Sequence, residues 1–378
     1  MTTVHAVGDL VLERSDTRAL LAASRAVLRR ADVVVGHLEI PHLREATVQT
    51  TDVPAIPGPP EALDGVADAG FGILTLAGNH VYDFGAEGMR ETVRHATDRG
   101  IATCGVGETL DEAFAPAVRV VGDHRVGVLS VNAVGPRETW ASGLKPGAAY
   151  VEVITHYADR GANPGGPPGI TTWVSPASLE RFTRAVRAAA AAVDLLIVAI
   201  HKGLVHTPAE LADYERPLAH AAVEAGAHAV IGHHAHILRG VEMYRGRAVF
   251  HGLGNFATVT SALNAASSDA PERARWALER RRLFGFEPDA GMPDYPFHPQ
   301  SRNTAIAVIS LAADGKVAYG IIPCWIDDAA RPTPTGPGPR GEAVVDYLRS
   351  ITSSADLNAR FEWDGDRLTV ADAQNGEL

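Results

Sequence analysis

Val193-Asp194-Leu195-Leu196-Ile197-Val198-Ala199-Ile200-His201-Lys202-Gly203 is the stretch on which the fold turns. Its apolar run is short and stops at a histidine, a lysine and a glycine, as a buried strand does where it leaves a sheet. Before it, Ser178–Ala192 sets apolar and alanine positions on one face and arginines on the other, the pattern of an amphipathic helix. After it, Leu211–Ala225 reads as a second helix and His228–Ile231 as the next strand. Strands alternating with helices in this way predict a parallel α/β sheet.

The same alternation extends toward the N-terminus. Val4–Val7, Val33–Val35 and Ile73–Leu76 read as strands, and Pro60–Ala69 and Gly85–Asp98 as helices. Asp16–Arg30 reads as a further helix with Asp16 as its N-cap. Val118–Val121 and Arg125–Val131 pair across Gly122-Asp123-His124, and segment 135–170, rich in glycine and proline, reads as a long loop. Downstream, Gly240–Tyr244 and Ala248–Phe250 form a hairpin leading into His251-Gly252-Leu253-Gly254-Asn255-Phe256. An insertion at 257–300 combines a charged helix, Glu272–Arg282, with an aromatic, proline-rich part, Pro288–Pro299. Thr304–Leu311 and Val317–Trp325 pair as antiparallel strands, and a helix, Glu342–Ser350, precedes a hairpin around Asp364-Gly365. The domain reading is therefore one α/β domain over 1–330, with insertions at 135–170 and 257–300, on which 331–378 packs.

Composition narrows the function classes. With 34 Lys and Arg against 45 Asp and Glu, the net charge of −11 repels phosphate backbones, so no nucleic-acid partner is expected. Only Lys145, Lys202 and Lys316 are lysines, which builds no polybasic membrane patch. The apolar run Val193–Ile200 is far short of the ~20 residues that span a bilayer. Met1-Thr2-Thr3 leads straight into the first strand without a basic or apolar leader, so the expected location is cytoplasmic. Cys104 and Cys324 read as buried small hydrophobes.

Five of the predicted strands run into polar clusters: Gly8-Asp9, His37-Leu38-Glu39, Gly78-Asn79-His80, His201-Lys202-Gly203 and Gly232-His233-His234-Ala235-His236. Ligands of α/β sheets bind beyond the carboxyl ends of strands, so these loops can converge on one site. Two carboxylates, a carboxamide oxygen and three imidazoles suit one or two divalent ions of Mn, Fe or Zn. Lys202 beside His201 is a candidate anion-binding residue, Arg302 a candidate clamp on a carboxylate or phosphate, and His251 a candidate neighbour of the site.

Together with Val81-Tyr82-Asp83-Phe84-Gly85, Cys104-Gly105-Val106-Gly107, Leu253-Gly254-Asn255-Phe256 and Arg331-Pro332, this order of motifs resembles the CapA family. These are bacterial capsule and poly-γ-glutamate synthesis proteins with the calcineurin-like metallophosphoesterase fold. The resemblance implies a four-layer sandwich of two mixed β-sheets flanked by helices. It implies that Asp9 and His236 hold one metal, that Glu39 bridges a pair, and that Asn79, His201 and His234 hold the second. His80 falls at the position of a general acid, with Asp83 placed to orient it. Two departures leave a single metal as the alternative: Leu10 and Val11 follow Asp9 where metallophosphoesterases have Asp-x-His, and a Glu stands at the bridging position. His37 or His5 either replaces the missing imidazole or packs beside the site. The implied activity is a metal-dependent hydrolase or transferase acting on a γ-glutamyl-like amide or a phosphoester of a small anionic substrate. The alternative is a non-catalytic component of capsule assembly. The insertion 257–300 is expected to cover the metal site, with a homodimer contact as its other reading.

Overall fold

Period-two alternation sorts the side chains of Leu195–Lys202 onto two faces. Leu195, Ile197 and Ala199 pack in one core cluster; Leu196, Val198 and Ile200 pack in another. A strand buried on both faces needs a layer on each side. In the computed structural model, which describes residues 1–46, 48, 55–158, 166–261, 264 and 271–373, that is the arrangement found.

Leu195–Lys202 lies in a six-stranded sheet ordered Val241–Tyr244, Arg247–Phe250, Ala229–His234, Leu195–Lys202, His124–Asn132 and Ala117–Val121. Its four middle strands run parallel. A ten-stranded mixed sheet faces it. There Thr2–Leu12 is central, with Val33–Leu38, Phe71–Thr75 and Ala102–Cys104 parallel on one side. Antiparallel Asn303–Leu311 and Val317–Ile326 continue on the other, and the C-terminal hairpin Ala359–Asp364 and Arg367–Asp372 extends that edge. Between the sheets, Val4, Ala6, Val33 and Val35 meet Val126, Val128, Ile197 and Ile231. Leu20, Leu28, Leu63 and Met89 cover the outer face of the large sheet, and Phe182, Val186, Leu218 and Ala222 that of the smaller one. The result is the four-layer α/β/β/α sandwich.

Several element boundaries differ from the sequence reading. Asp9 does not end its strand: Thr2–Leu12 runs through it, with irregular register on both sides of Asp9. The irregularity inverts the alternation, since Val4 and Ala6 face the second sheet whereas Leu10 and Leu12 face the helices. Asp16 makes no capping hydrogen bond; it is held by Arg14, and two short helices, Thr17–Leu20 and Ala22–Leu28, replace the predicted single one. Inside the predicted loop 135–170 lies a strand, Val153–Ala158, which pairs antiparallel with Gly169–Val174 at the loop's end. Helix Leu211–Ala225 is shortened to Glu215–Glu224, and Glu342–Ser350 is lengthened to Pro339–Ser354. Among the described residues, no helix is long and apolar enough to cross a membrane.

Candidate metal centre

The two sheets bring their strand ends to one place. Asp9 and His37 are register partners on adjacent strands of the large sheet, and Glu39 follows directly. His201 and His233 are register partners in the smaller sheet. Because His37, His201 and His233 continue the inward-facing positions, their rings meet where the apolar core ends, tilted at 4.6 Å for His37–His201 and stacked at 4.9 Å for His37–His233.

Glycines allow this approach. A Cβ at Gly8 would stand 1.9 Å from the Gly254 carbonyl oxygen, and one at Gly232 would stand 2.1 Å from that of His251. His234 and His236 are aimed by unusual backbone, with φ of 87° and 53°. Left-handed conformations are uncommon outside glycine, asparagine and aspartate and cluster at functional sites.

Asp9, Glu39, Asn79, His201, His234 and His236 are gathered in one cluster. His201 Nε2 lies 2.7 Å from Asn79 Oδ1 and 3.1 Å from His234 Nδ1. His236 Nε2 is 3.2 Å from Glu39 Oε1, and its Nδ1 is 3.5 Å from Asp9 Oδ2 and 2.9 Å from Asn255 Oδ1. Three ligand groups overlap here: Asp9–Glu39–His236, Glu39–His201–His234 and Asp9–His37–His201, each with donor atoms within 4.8 Å of one another. His37, one of the two histidines left open by the sequence, thus sits inside the cluster. His5 does not; it lies farther back on its strand, where burial pushes it down to about 4.

The donors fit a divalent cation. Asp9 Oδ1, Glu39 Oε2, His37 Nε2 and His201 Nδ1 are buried without a hydrogen-bond partner, a costly arrangement unless a ligand satisfies them. Burial and the neighbouring Glu39 carboxylate push Asp9 well up. Burial also opposes charge on Glu39, but His236 outweighs it and holds that carboxyl down. His236 is raised to about 9 in the reverse balance, whereas burial takes His234 down to about 3. His37 and His201 lie well below the ordinary imidazole value through burial and the surrounding rings. Neutral imidazoles and ionised carboxylates are the forms that bind metal, so His37, His201, His234 and Glu39 are held ready, whereas Asp9 and His236 would release a proton on binding an ion.

A cleft of about 220 Å³ opens over the cluster, lined by Glu39, Asn79, His80, Asp83, His234 and His236. His80 Nδ1 is 2.7 Å from Asp83 Oδ2, so one ring nitrogen is fixed on a buried carboxylate. Burial lowers the His80 pKa, but the Asp83 bond and charge prevail and raise it. The cleft's other wall comes from the insertion, through Trp276, Arg280, Phe284 and Phe297.

Three expected substrate contacts are not in that lining. Lys202 is fully buried and donates to Glu215 Oε2 at 2.7 Å, because the alternation that turns His201 inward turns Lys202 outward under helix Glu215–Glu224. His251 is buried in the same charge network, 3.2 Å from Glu242 and 3.3 Å from Lys202. Arg302 donates to the Ile326 carbonyl and Asp328 and stacks over Trp325. Conversely, the cleft includes Glu13 and His206, which sequence reasoning missed. His206 follows Lys202-Gly203-Leu204-Val205 without a periodic signal, and its φ of 57° places it by backbone conformation that residue patterns do not reveal.

Residues 3–260 match the profile of a family described as bacterial capsule synthesis protein PGA_cap. The chain belongs to that family. The chain is similar to the uncharacterized protein y4sH of Sinorhizobium fredii, 28% identical over 312 residues, and to PGA biosynthesis protein CapA of Bacillus subtilis, 25% identical over 249 residues. These alignments cover 67% and 66% of this chain but only 65% and 59% of those relatives. The solved structure of the calcineurin-like phosphoesterase YfkN from Bacillus subtilis is similar at a TM-score of 0.35 and 13% identity, covering 94% of this chain and 98% of that one.

Proposed function

We propose that this protein is a metal-dependent hydrolase or transferase that acts on an amide or phosphoester bond of a small anionic substrate. The supporting observation is that the His80–Asp83 pair borders the same cleft as the donor cluster, since a purely structural metal site has no use for an oriented imidazole at its rim. Asp9, Glu39, Asn79, His201, His234 and His236 would hold one or two divalent ions of Mn, Fe or Zn, with His37 within reach of the same atoms. The chemistry such ions supply when bound is Lewis acidity toward a substrate oxygen and a lowered pKa for water.

The chain's own residues supply the rest. Asp83 fixes His80 through Nδ1, which leaves Nε2 as the nitrogen that donates a proton to the leaving group. Asn255 Oδ1 accepts from His236 and fixes its ring, while Asn255 Nδ2 donates to the Tyr295 hydroxyl at 3.1 Å, which holds the amide in that orientation. A relative named for PGA biosynthesis makes a γ-glutamyl amide the first substrate to assay.

The test is metal analysis of the purified protein together with turnover of γ-glutamyl anilides and aryl phosphates. His80→Ala is expected to keep wild-type metal content and lose ~10²–10⁴-fold in kcat. Asp9→Asn with His236→Ala is expected to lose metal. Wild-type metal content with no turnover on either substrate class would favour the non-catalytic role, and loss of metal in His80→Ala would make His80 a ligand.

A further inference from the structure

Helix Pro271–Phe284 places Trp276, Arg280 and Phe284 at i, i+4 and i+8, a single stripe, and all three line the cleft. Arg280 is the only lysine or arginine among the described lining residues. It makes no ion pair with a described residue; its guanidinium lies over the Trp276 ring, 5.2 Å from the centroid. Of the carboxylates in the same lining, Glu13 accepts from Thr260 and Ser261, and Glu39 Oε1 is engaged by His236. The same cleft also presents apolar side chains, among them Val11, Ile40, Phe284 and Phe297. A stacked guanidinium keeps its planar N–H edge available for a carboxylate or phosphate.

We propose that this stripe is a specificity subsite for an oxyanion carried on an apolar body, with Arg280 binding the anion and Trp276 and Phe284 packing the body. The inference rests on the cleft being a substrate site, as in the proposed function. It gives that substrate a class: a small molecule with a carboxylate or phosphate set apart from the bond at the metal-ligating cluster. The helix lies outside residues 3–260, so the subsite belongs to the insertion and not to the segment matched by the family.

Calorimetric titration of the purified protein with 3-phenylpropionate, phenyl phosphate and 3-phenylpropanamide tests it. At least one anion is expected to bind more tightly than the amide, and Arg280→Gln to weaken that anion by about 10–100-fold while leaving the amide unchanged. The anion so affected tells carboxylate from phosphate. Arg280→Lys should restore part of the loss, and Trp276→Ala should weaken all three probes alike. Equal loss of all three in Arg280→Gln, unchanged binding of both anions, or no anion binding at millimolar concentration overturns the subsite. Metal content is measured on each variant; a metal-free wild type would sink the proposed function while the Arg280 comparison still decides the subsite.

Discussion

Lys202 and His201 are neighbours in sequence with opposite fates, because one residue of a strand faces the imidazole cluster and the next faces the helix layer. Lys202, Arg239 and Glu215 are all fully buried, and the one carboxylate serves both cations, at 2.7 Å and 3.2 Å. Glu215→Gln leaves two buried cations without the carboxylate paired directly with them. It should cost about 3–5 kcal/mol in urea unfolding, whereas Glu180→Gln, at an exposed partner of Arg184, should change stability by less than about 0.5 kcal/mol. Burial raises the Glu215 carboxyl, but Lys202 and Arg239 outweigh it and bring it from 4.5 down to about 2. A depressed folded value means stability that is complete above 4.5 and is lost as pH falls toward 2, so the variant should lack that part of the acid dependence. The alternation that separates Lys202 from His201 was legible in Leu195–Lys202; what the sequence could not show is that Glu215 waits beneath it.

At the scale of elements, the strand–helix alternation and the six ligand candidates were readable because apolar periodicity and residue chemistry are local. Register irregularities, in contrast, depend on the partner strand. The first strand was therefore read as ending before Asp9, although it continues and bends there, with Asp9 N donating to the Gly254 carbonyl at 2.9 Å. Gly8 makes that contact possible. Gly8→Ala would drive a Cβ into Gly254 and push apart Asp9 and Asn255, which orients His236. The expected result is a loss of about 1–3 kcal/mol in stability together with reduced metal content. Gly143→Ala, where no atom lies within 4 Å of the added Cβ, should change neither. Normal metal content in Gly8→Ala would show that the approach of these two strands does not set the site. The insertion helix shows the other limit of reading: its charged composition suggested a solvated cover, yet the i, i+4, i+8 stripe that faces the cleft was present in the sequence and is recognised only when the cleft is seen.

Over the whole molecule, the candidate site is a junction between layers. Asp9, His37 and Glu39 arrive from the ten-stranded sheet, and His201 and His234 from the six-stranded one, so a cation shared among them would tie the two sheets together. Without it, two carboxylates and several unpartnered donor atoms face each other in a buried space, which opposes close packing of the sheets at that end. The convergence of strand ends could be inferred from the βαβ pattern, but the strand order and the pairing of Asn255–Val259 alongside the second half of Thr2–Leu12 could not, because they join segments far apart in sequence, here some 250 positions. The consequence is measurable as linkage between metal and global stability. Chelator-treated protein should melt lower, and a free divalent ion at about a hundred times its dissociation constant should restore about 2.7 kcal/mol, or about 3 °C for a chain of this length. Asp9→Asn combined with His236→Ala should abolish that metal-dependent shift, while His80→Ala should keep it, since His80 sits at the rim and is held by Asp83. A melting temperature indifferent to chelation in the wild type would mean that the two sheets meet without help from a cation, and that the unpartnered donors are tolerated for another reason.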